Sequence, residues 1–203
     1  EHDLGLVEMG ANHPGEIDLL CRIAQPNYGY ITNFGKAHLE GFGSLEGVID
    51  AKTELYRYLA SKDGSVFVYK NDVRQMELSE KQNRILFESG DSDAADFQLL
   101  TAQPKLQFRY KRNQVATNLV GAYNFVNCIA AMAIGVYFGV SEAKLIQAIC
   151  SYIPDNNRSQ ILATERNLLL LDAYNANPTS VRAAIESFVA EKEPLNKILI
   201  LGD

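Results

Sequence analysis

Glu8, His38, Lys52 and Asp172 are the residues whose types and settings first suggest chemistry. Glu8 closes the apolar run Leu4–Met9, His38 ends Asn33-Phe34-Gly35-Lys36-Ala37-His38, and Asp172 follows Leu168–Leu171. In open parallel sheets, ligands collect beyond the carboxyl ends of strands. A cap or turn residue at a strand end is the plain alternative for each. For Glu8, a carboxylate embedded in an apolar strand is costly unless it is paired or metal-bound. For His38 taken alone, a satisfied loop histidine is the simpler account.

Lys52 is the sharper case. Ser44 is placed to cap a helix on which Leu45, Val48, Ile49, Leu55, Tyr56 and Leu59 form one apolar stripe. Lys52 falls in the middle of that stripe. Its stem could pack while the ammonium reaches water, but a central position makes escape harder than an edge position. A desolvated lysine shifts its pKa downward, and a neutral amine can take up carbon dioxide as a carbamate. Carbamate oxygens behave like a carboxylate and would bind a hard cation.

Amides and an arginine complete the set. Asn124 and Asn127 lie one turn apart near the start of a helix, where they could meet a base such as adenine or simply cap and face water. Arg158 could pair a phosphate or lie on a surface. In Asp172-Ala173-Tyr174-Asn175-Ala176-Asn177-Pro178, Asn177 and Pro178 make a helix start, which leaves Asp172, Tyr174 and Asn175 without a capping duty. There is no GxxxxGK[ST] loop, GxGxxG, GxSxG or HExxH, so a main phosphate cradle would have to lie outside this segment.

These residues need a scaffold. Leu4–Met9, Tyr28–Thr32, Val66–Tyr69, Leu168–Leu171 and Ile198–Leu201 read as strands. Helix patterns fall over 15–24, 45–61, 123–138, 141–152 and 178–191. The alternation predicts an α/β fold with a mainly parallel sheet flanked by helices. Residues 84–118 are polar with short alternations and predict a small antiparallel excursion. Pro154-Asp155-Asn156-Asn157 is the expected domain boundary. The chain opens on a strand pattern and closes on another, Lys197–Asp203, so it is expected to be a fragment of a longer protein.

The 203 residues are 47% apolar and 22% charged, as in ordinary globular domains rather than disordered, collagenous or coiled-coil chains. With 25 acids against 19 bases and no basic run, general nucleic-acid or anionic-membrane binding is not expected. No apolar run is long enough for a membrane span. The three cysteines, Cys21, Cys128 and Cys150, are odd in number and far apart, which points to a reducing cytoplasm.

Taken in order, VEMGANHPGEI, ITNFGKAHLEGFGSLEGVIDAKTEL, GAYNFVNCIAA, NNRSQ, DAYNANP and ILGD resemble the Mur ligases. The likeness runs from residue 4 to the last residue and is weakest across 70–118. It is strongest to those members that join D-alanyl-D-alanine to UDP-N-acetylmuramoyl-tripeptide with ATP. The resemblance implies a central ATPase domain over 1–155, its phosphate loop missing, and the beginning of a Rossmann-like C-terminal domain over 156–203. It implies Mg²⁺ bound by Glu8, His38 and a carbamylated Lys52, the last two being catalytic. Asn124 and Asn127 would hold adenine, Arg158 would reach the ATP phosphates and Asp172 the ribose. Tyr174 and Asn175 would lie beside the nucleotide, and Asn12 and His13 near the metal and acyl phosphate. Many relatives have histidine where this chain has Tyr123, which leaves a nucleotide contact there open.

A cytoplasmic, monomeric enzyme of peptidoglycan synthesis is therefore expected, with the fragment alone inactive. Such a ligase activates a substrate carboxylate with the γ-phosphate of ATP, and an amine then attacks the acyl phosphate. A folylpolyglutamate synthase-like ligase shares the lysine and metal logic, but DAYNANP and HLEGFGS favour the first. A catalytically silent nucleotide-binding or scaffolding domain is the alternative of a different class. Loss of Glu8, His38 or Lys52 would favour it, and all three are present.

Overall fold

The computed structural model describes residues 2–202 apart from 36–38, 93–94, 156, 159, 175–177 and 191–195. Helix α1 (Glu16–Ala24) leads into strand β1 (Tyr28–Tyr30), followed by α2 (Leu39–Phe42) and α3 (Leu45–Ala60). Then come β2 (Ser65–Tyr69), α4 (Val73–Leu78) and β3 (Asn83–Phe87). The three strands form a parallel sheet in the order β1-β2-β3, with Tyr28 opposite Ser65 and Ser65 opposite Asn83. Parallel neighbours require crossovers, and α3 and α4 supply them.

Successive side chains of β2 divide between two cores. Val66 and Val68 pack with Tyr56 and Leu59 of α3, while Phe67 faces the other way. A sheet covered on both faces explains why Ser-Val-Phe-Val reads as a continuous buried run rather than an alternation. Helix α3 begins as the sequence predicts: the Ser44 hydroxyl accepts the Gly47 N–H at 3.1 Å.

The antiparallel excursion consists of β4 (Phe97–Thr101), β5 (Gln107–Tyr110) and β6 (Asn113–Ala116). Phe108 and Tyr110 point inward, between the half-buried Gln107 and Arg109, so the expected alternation is met. They pack with Phe125, Ile129 and Met132 of α5 (Tyr123–Tyr137), and Leu145 of α6 (Glu142–Ser151) joins them. Strands β7 (Gln160–Ala163) and β8 (Leu168–Leu171) pair antiparallel and precede α7 (Pro178–Ala190).

Several sequence expectations need correction. Leu4–Met9 is not a strand: it runs without a strand partner among the described residues, and Leu6 is 93% exposed. Ile198–Leu201 is likewise outside any strand, with Ile200 88% exposed. An apolar run becomes a strand only where a neighbour completes its hydrogen-bond ladder. Glu8 is therefore exposed in a segment without regular secondary structure instead of closing a buried strand. Residues 83–87, mostly within the stretch assigned to the excursion, belong to the parallel sheet as β3.

All three cysteines are free; Cys21 and Cys128 are buried and Cys150 is half-buried. Burial raises the Cys21 thiol to about 11 and the Cys128 thiol to about 12. Among the described residues no helix is long and apolar enough to cross a membrane.

Candidate functional site

Lys52 turns its ammonium to the loop beyond β1. Half-buried on α3, its Nζ donates to the Asn33 carbonyl oxygen at 2.6 Å and lies 3.4 Å from Asn33 Oδ1. Asn33 stands just beyond the carboxyl end of β1, and its Oδ1 also accepts the Gly35 N–H at 3.0 Å, forming a small turn. Desolvation lowers the lysine's pKa. The sheet thus delivers a loop carbonyl, and the crossover helix delivers an amine onto it.

A second loop approaches from the amino end of α1. The Glu16 carboxylate accepts the Asn12 N–H at 2.6 Å and the His13 N–H at 3.1 Å, and the His13 Nδ1 lies 3.4 Å from its other oxygen. Those backbone bonds, that from Asn12 foremost, hold the Glu16 carboxyl below its usual range. The loop is also pinned from α2. A Cβ on Gly41 would collide with the Asn12 carbonyl oxygen and come within 3.4 Å of the His13 ring. Upstream, Met9 contacts the buried Cys21 thiol of α1 at 3.8 Å, which anchors the segment that carries Glu8.

The Asn33–Gly35 turn is thus held to α3 through Lys52, while the Asn12–His13 loop is ordered by the first turn of α1 and lies against α2. His38 lies outside the described residues. Among the described residues no three His, Cys, Asp or Glu side chains gather as a metal cluster. The Lys52 environment suits the proposed chemistry of the amine: it is half-buried, of lowered pKa and, among the described residues, held by the two neutral oxygens of Asn33. Glu8 offers an exposed carboxylate.

The amide pair at the head of α5 is real. Asn127 Nδ2 donates to Asn124 Oδ1 at 3.3 Å, and Asn124 Nδ2 donates to the Val120 carbonyl at 2.8 Å. Gly121, at φ 90°, lies under the Tyr123 ring, and a Cβ there would meet that ring. The position thus requires glycine twice over, by backbone conformation and by contact.

After Pro154, the Arg158 guanidinium carbon sits 4.0 Å from the Tyr174 ring centroid. The Ala173 N–H donates to the Asn157 carbonyl at 2.8 Å, bringing these segments side by side with Asp172 adjacent. Asn175 lies outside the described residues.

Sequence reasoning missed Asn33, Glu16 and Glu54 as organising residues. Glu54 was accessible to the argument used for Lys52. It follows Ala51 by three residues on a flank of α3 that proves buried, and it is only 8% exposed. Asn33 and Glu16 act on backbone groups, which side-chain spacing does not reveal.

Residues 1–135 match the family model described as the Mur ligase middle domain. The UDP-N-acetylmuramoyl-tripeptide--D-alanyl-D-alanine ligase of Bacillus subtilis (strain 168) is 31% identical over 207 residues, covering 99% of this chain and 44% of the relative. The chain thus spans less than half the length of that curated relative. Among solved structures, MurF from Acinetobacter baumannii superposes with a TM-score of 0.73 at 28% identity, covering 90% of this chain and 42% of that one. The MurF ligase from Thermotoga maritima, solved in complex with ADP, gives a TM-score of 0.72 at 22% identity over 89% of this chain and 43% of that one, a likeness of fold.

Proposed function

The chain belongs to the Mur ligase family, and from that premise we propose that it is part of an ATP-dependent ligase joining D-alanyl-D-alanine to UDP-N-acetylmuramoyl-tripeptide. Residues 1–155 are its central ATPase domain and 156–203 the beginning of a Rossmann-like C-terminal domain. The observation that carries this reading is Lys52, a half-buried amine of lowered pKa held on the Asn33 carbonyl beyond a parallel strand. The curated Bacillus subtilis relative, matched along 99% of this chain, is named for this reaction.

In the proposed reaction a carboxylate oxygen of the tripeptide attacks the γ-phosphorus of ATP, and ADP leaves. The amine of D-alanyl-D-alanine then attacks the acyl carbon; the acyl C–O bond breaks, inorganic phosphate leaves with its electron pair, and the nitrogen gives up one proton. Glu8, His38 and carbamylated Lys52 would hold magnesium, which when bound draws negative charge off the transferring phosphoryl group. Asn124 and Asn127 would bind adenine; each carries an amide able to donate and accept. Asn12 and His13 would flank the acyl group, on a loop whose backbone Glu16 already orders.

Arg158, Asp172, Tyr174 and Asn175 would close over the nucleotide. The stacking of Arg158 on Tyr174 supports this role, because a guanidinium held by its face leaves its edge to donate to a phosphate. An acyl phosphate exposed to water would hydrolyse, so a closing domain has a clear use. A cytoplasmic setting is supported by three cysteines that are all free.

The test is phosphate release by the intact protein with Mg-ATP, UDP-N-acetylmuramoyl-tripeptide and D-alanyl-D-alanine, the product being identified by mass. Release that needs all three and yields the pentapeptide is the expected result. ATP binding without ligation would overturn the ligase reading in favour of a silent nucleotide-binding domain.

A further inference from the structure

Helix α1 starts without a cap of its own. Its N-cap position is Gly15, at φ 86°, which has no side chain to offer the first-turn amides. The missing acceptor arrives from α3. Glu54 Oε1 accepts the Gly15 N–H at 2.6 Å, and Oε2 accepts the Asp18 N–H at 2.9 Å. Both oxygens of a side chain that is only 8% exposed are thus committed to one helix end, where the dipole favours negative charge.

A buried carboxylate is a costly way to cap a helix when a serine or aspartate at the N-cap would serve. What it adds is direction. Two charge-assisted bonds from one rigid helix fix where α1 begins relative to α3. The first turn of α1 carries Glu16, which holds the Asn12 and His13 amides. Lys52 stands two positions before Glu54 on the same helix. One path of hydrogen bonds therefore runs from Glu54 of α3 to the first turn of α1, and from Glu16 in that turn to the Asn12–His13 loop.

From this path, and resting on the ligase reading above, we infer that Glu54 is a positioning residue of the reaction: it sets the Asn12–His13 loop in register with Lys52. It touches no substrate in this role. A purely structural carboxylate would alter stability and leave turnover per folded molecule unchanged. A positioning carboxylate acts on turnover, because small misplacements of reacting groups are expensive in rate.

The experiment uses the intact ligase and its Glu54→Gln and Glu54→Ala variants, with the folded fraction measured by circular dichroism. In Glu54→Ala, kcat per folded molecule is expected to fall on the order of 10- to 100-fold, with the KM for ATP changing less than about twofold. Glu54→Gln keeps one carbonyl acceptor and is expected to recover part of the loss. Unchanged kcat in a folded Glu54→Ala variant overturns the inference. Amide hydrogen exchange in the wild type is read alongside. First-turn amides ordinarily lack a partner, so slow exchange at Gly15 and Asp18 supports the bonded cap and rapid exchange overturns it. If neither variant folds, Glu54→Asp, which keeps the charge but shortens the reach, replaces them: a folded Glu54→Asp enzyme of unchanged kcat overturns the inference, and one of lowered kcat with an unchanged KM for ATP supports it. A wild type that protects these amides but does not ligate refutes the ligase reading instead.

Discussion

A lysine with four methylenes can usually reach water from the edge of an apolar stripe, so where Lys52 goes is diagnostic. It goes to the Asn33 carbonyl, at 2.6 Å, and burial depresses its pKa. Two roles fit an amine so placed: a fixed cation for a phosphate, or a carbamate that completes a metal site. Substitution separates them. Lys52→Arg keeps the charge but cannot form the lysine carbamate; Lys52→Ala removes both. Under the carbamate role each variant of the intact protein loses turnover by about 100-fold or more, since several kcal/mol of charge stabilisation are at stake. Added short carboxylates then restore part of the activity of Lys52→Ala. A Lys52→Arg enzyme of near-normal rate, or an alanine variant that ignores added carboxylate, would point to the simple cation. The mid-stripe position was legible in the sequence because helical spacing is local. The acceptor, 19 residues away, was not, because it is a backbone carbonyl and any residue carries one.

The elements that could be read in advance were those long enough to show a period. Helices α1, α3, α5, α6 and α7 each lie where the apolar stripe or the capping signal put them. The two that went unread, α2 and α4, are only 4 and 6 residues long, too short to repeat a stripe. Yet α2 matters to the site, because its Gly41 seats against the Asn12 carbonyl. The two competing effects at Gly41 can be weighed. Replacing a helical glycine by alanine favours the helix by up to about 1 kcal/mol. Driving a Cβ into a backbone carbonyl that cannot swing aside costs about 1–3 kcal/mol. The collision should win. Gly41→Ala is therefore expected to lower the unfolding free energy, read by urea titration, and to reduce ligation by the intact protein. A more stable Gly41→Ala variant would mean that α2 and the Asn12 loop are not in contact.

At the scale of the whole molecule, burial divides the chain more sharply than secondary structure does. The buried core residues all lie between Ile17 and Leu145, and the two clusters that join the sheet, the antiparallel excursion and α5 are complete within them. Asn118 ties the chain to this body as far as Tyr152, donating to the Cys150 carbonyl at 3.1 Å and the Tyr152 carbonyl at 3.4 Å. Beyond Pro154 no described residue is buried, and β7, β8 and α7 form a hairpin and a helix with much of their surface exposed. A boundary is expected here from composition, because Pro-Asp-Asn-Asn breaks a helix whatever follows. Composition could not show that Leu168–Leu171, read as a strand, keeps Leu168 57% exposed. A two-stranded hairpin with no buried residue is marginal in water, so its opening free energy should be far below that of the core. Trypsin then has an ordered preference in this chain. Its first cuts are expected at the exposed Arg158 or at Arg166, in the turn between β7 and β8. A product ending near residue 158 or 166 should outlast both the parent chain and the released piece. That product would retain Lys52 with its Asn33 acceptor and the Glu54 cap of α1. First cuts on the amino-terminal side of Cys150 would instead mean that 1–155 is not the stable unit, and that the core depends on the segment after Pro154.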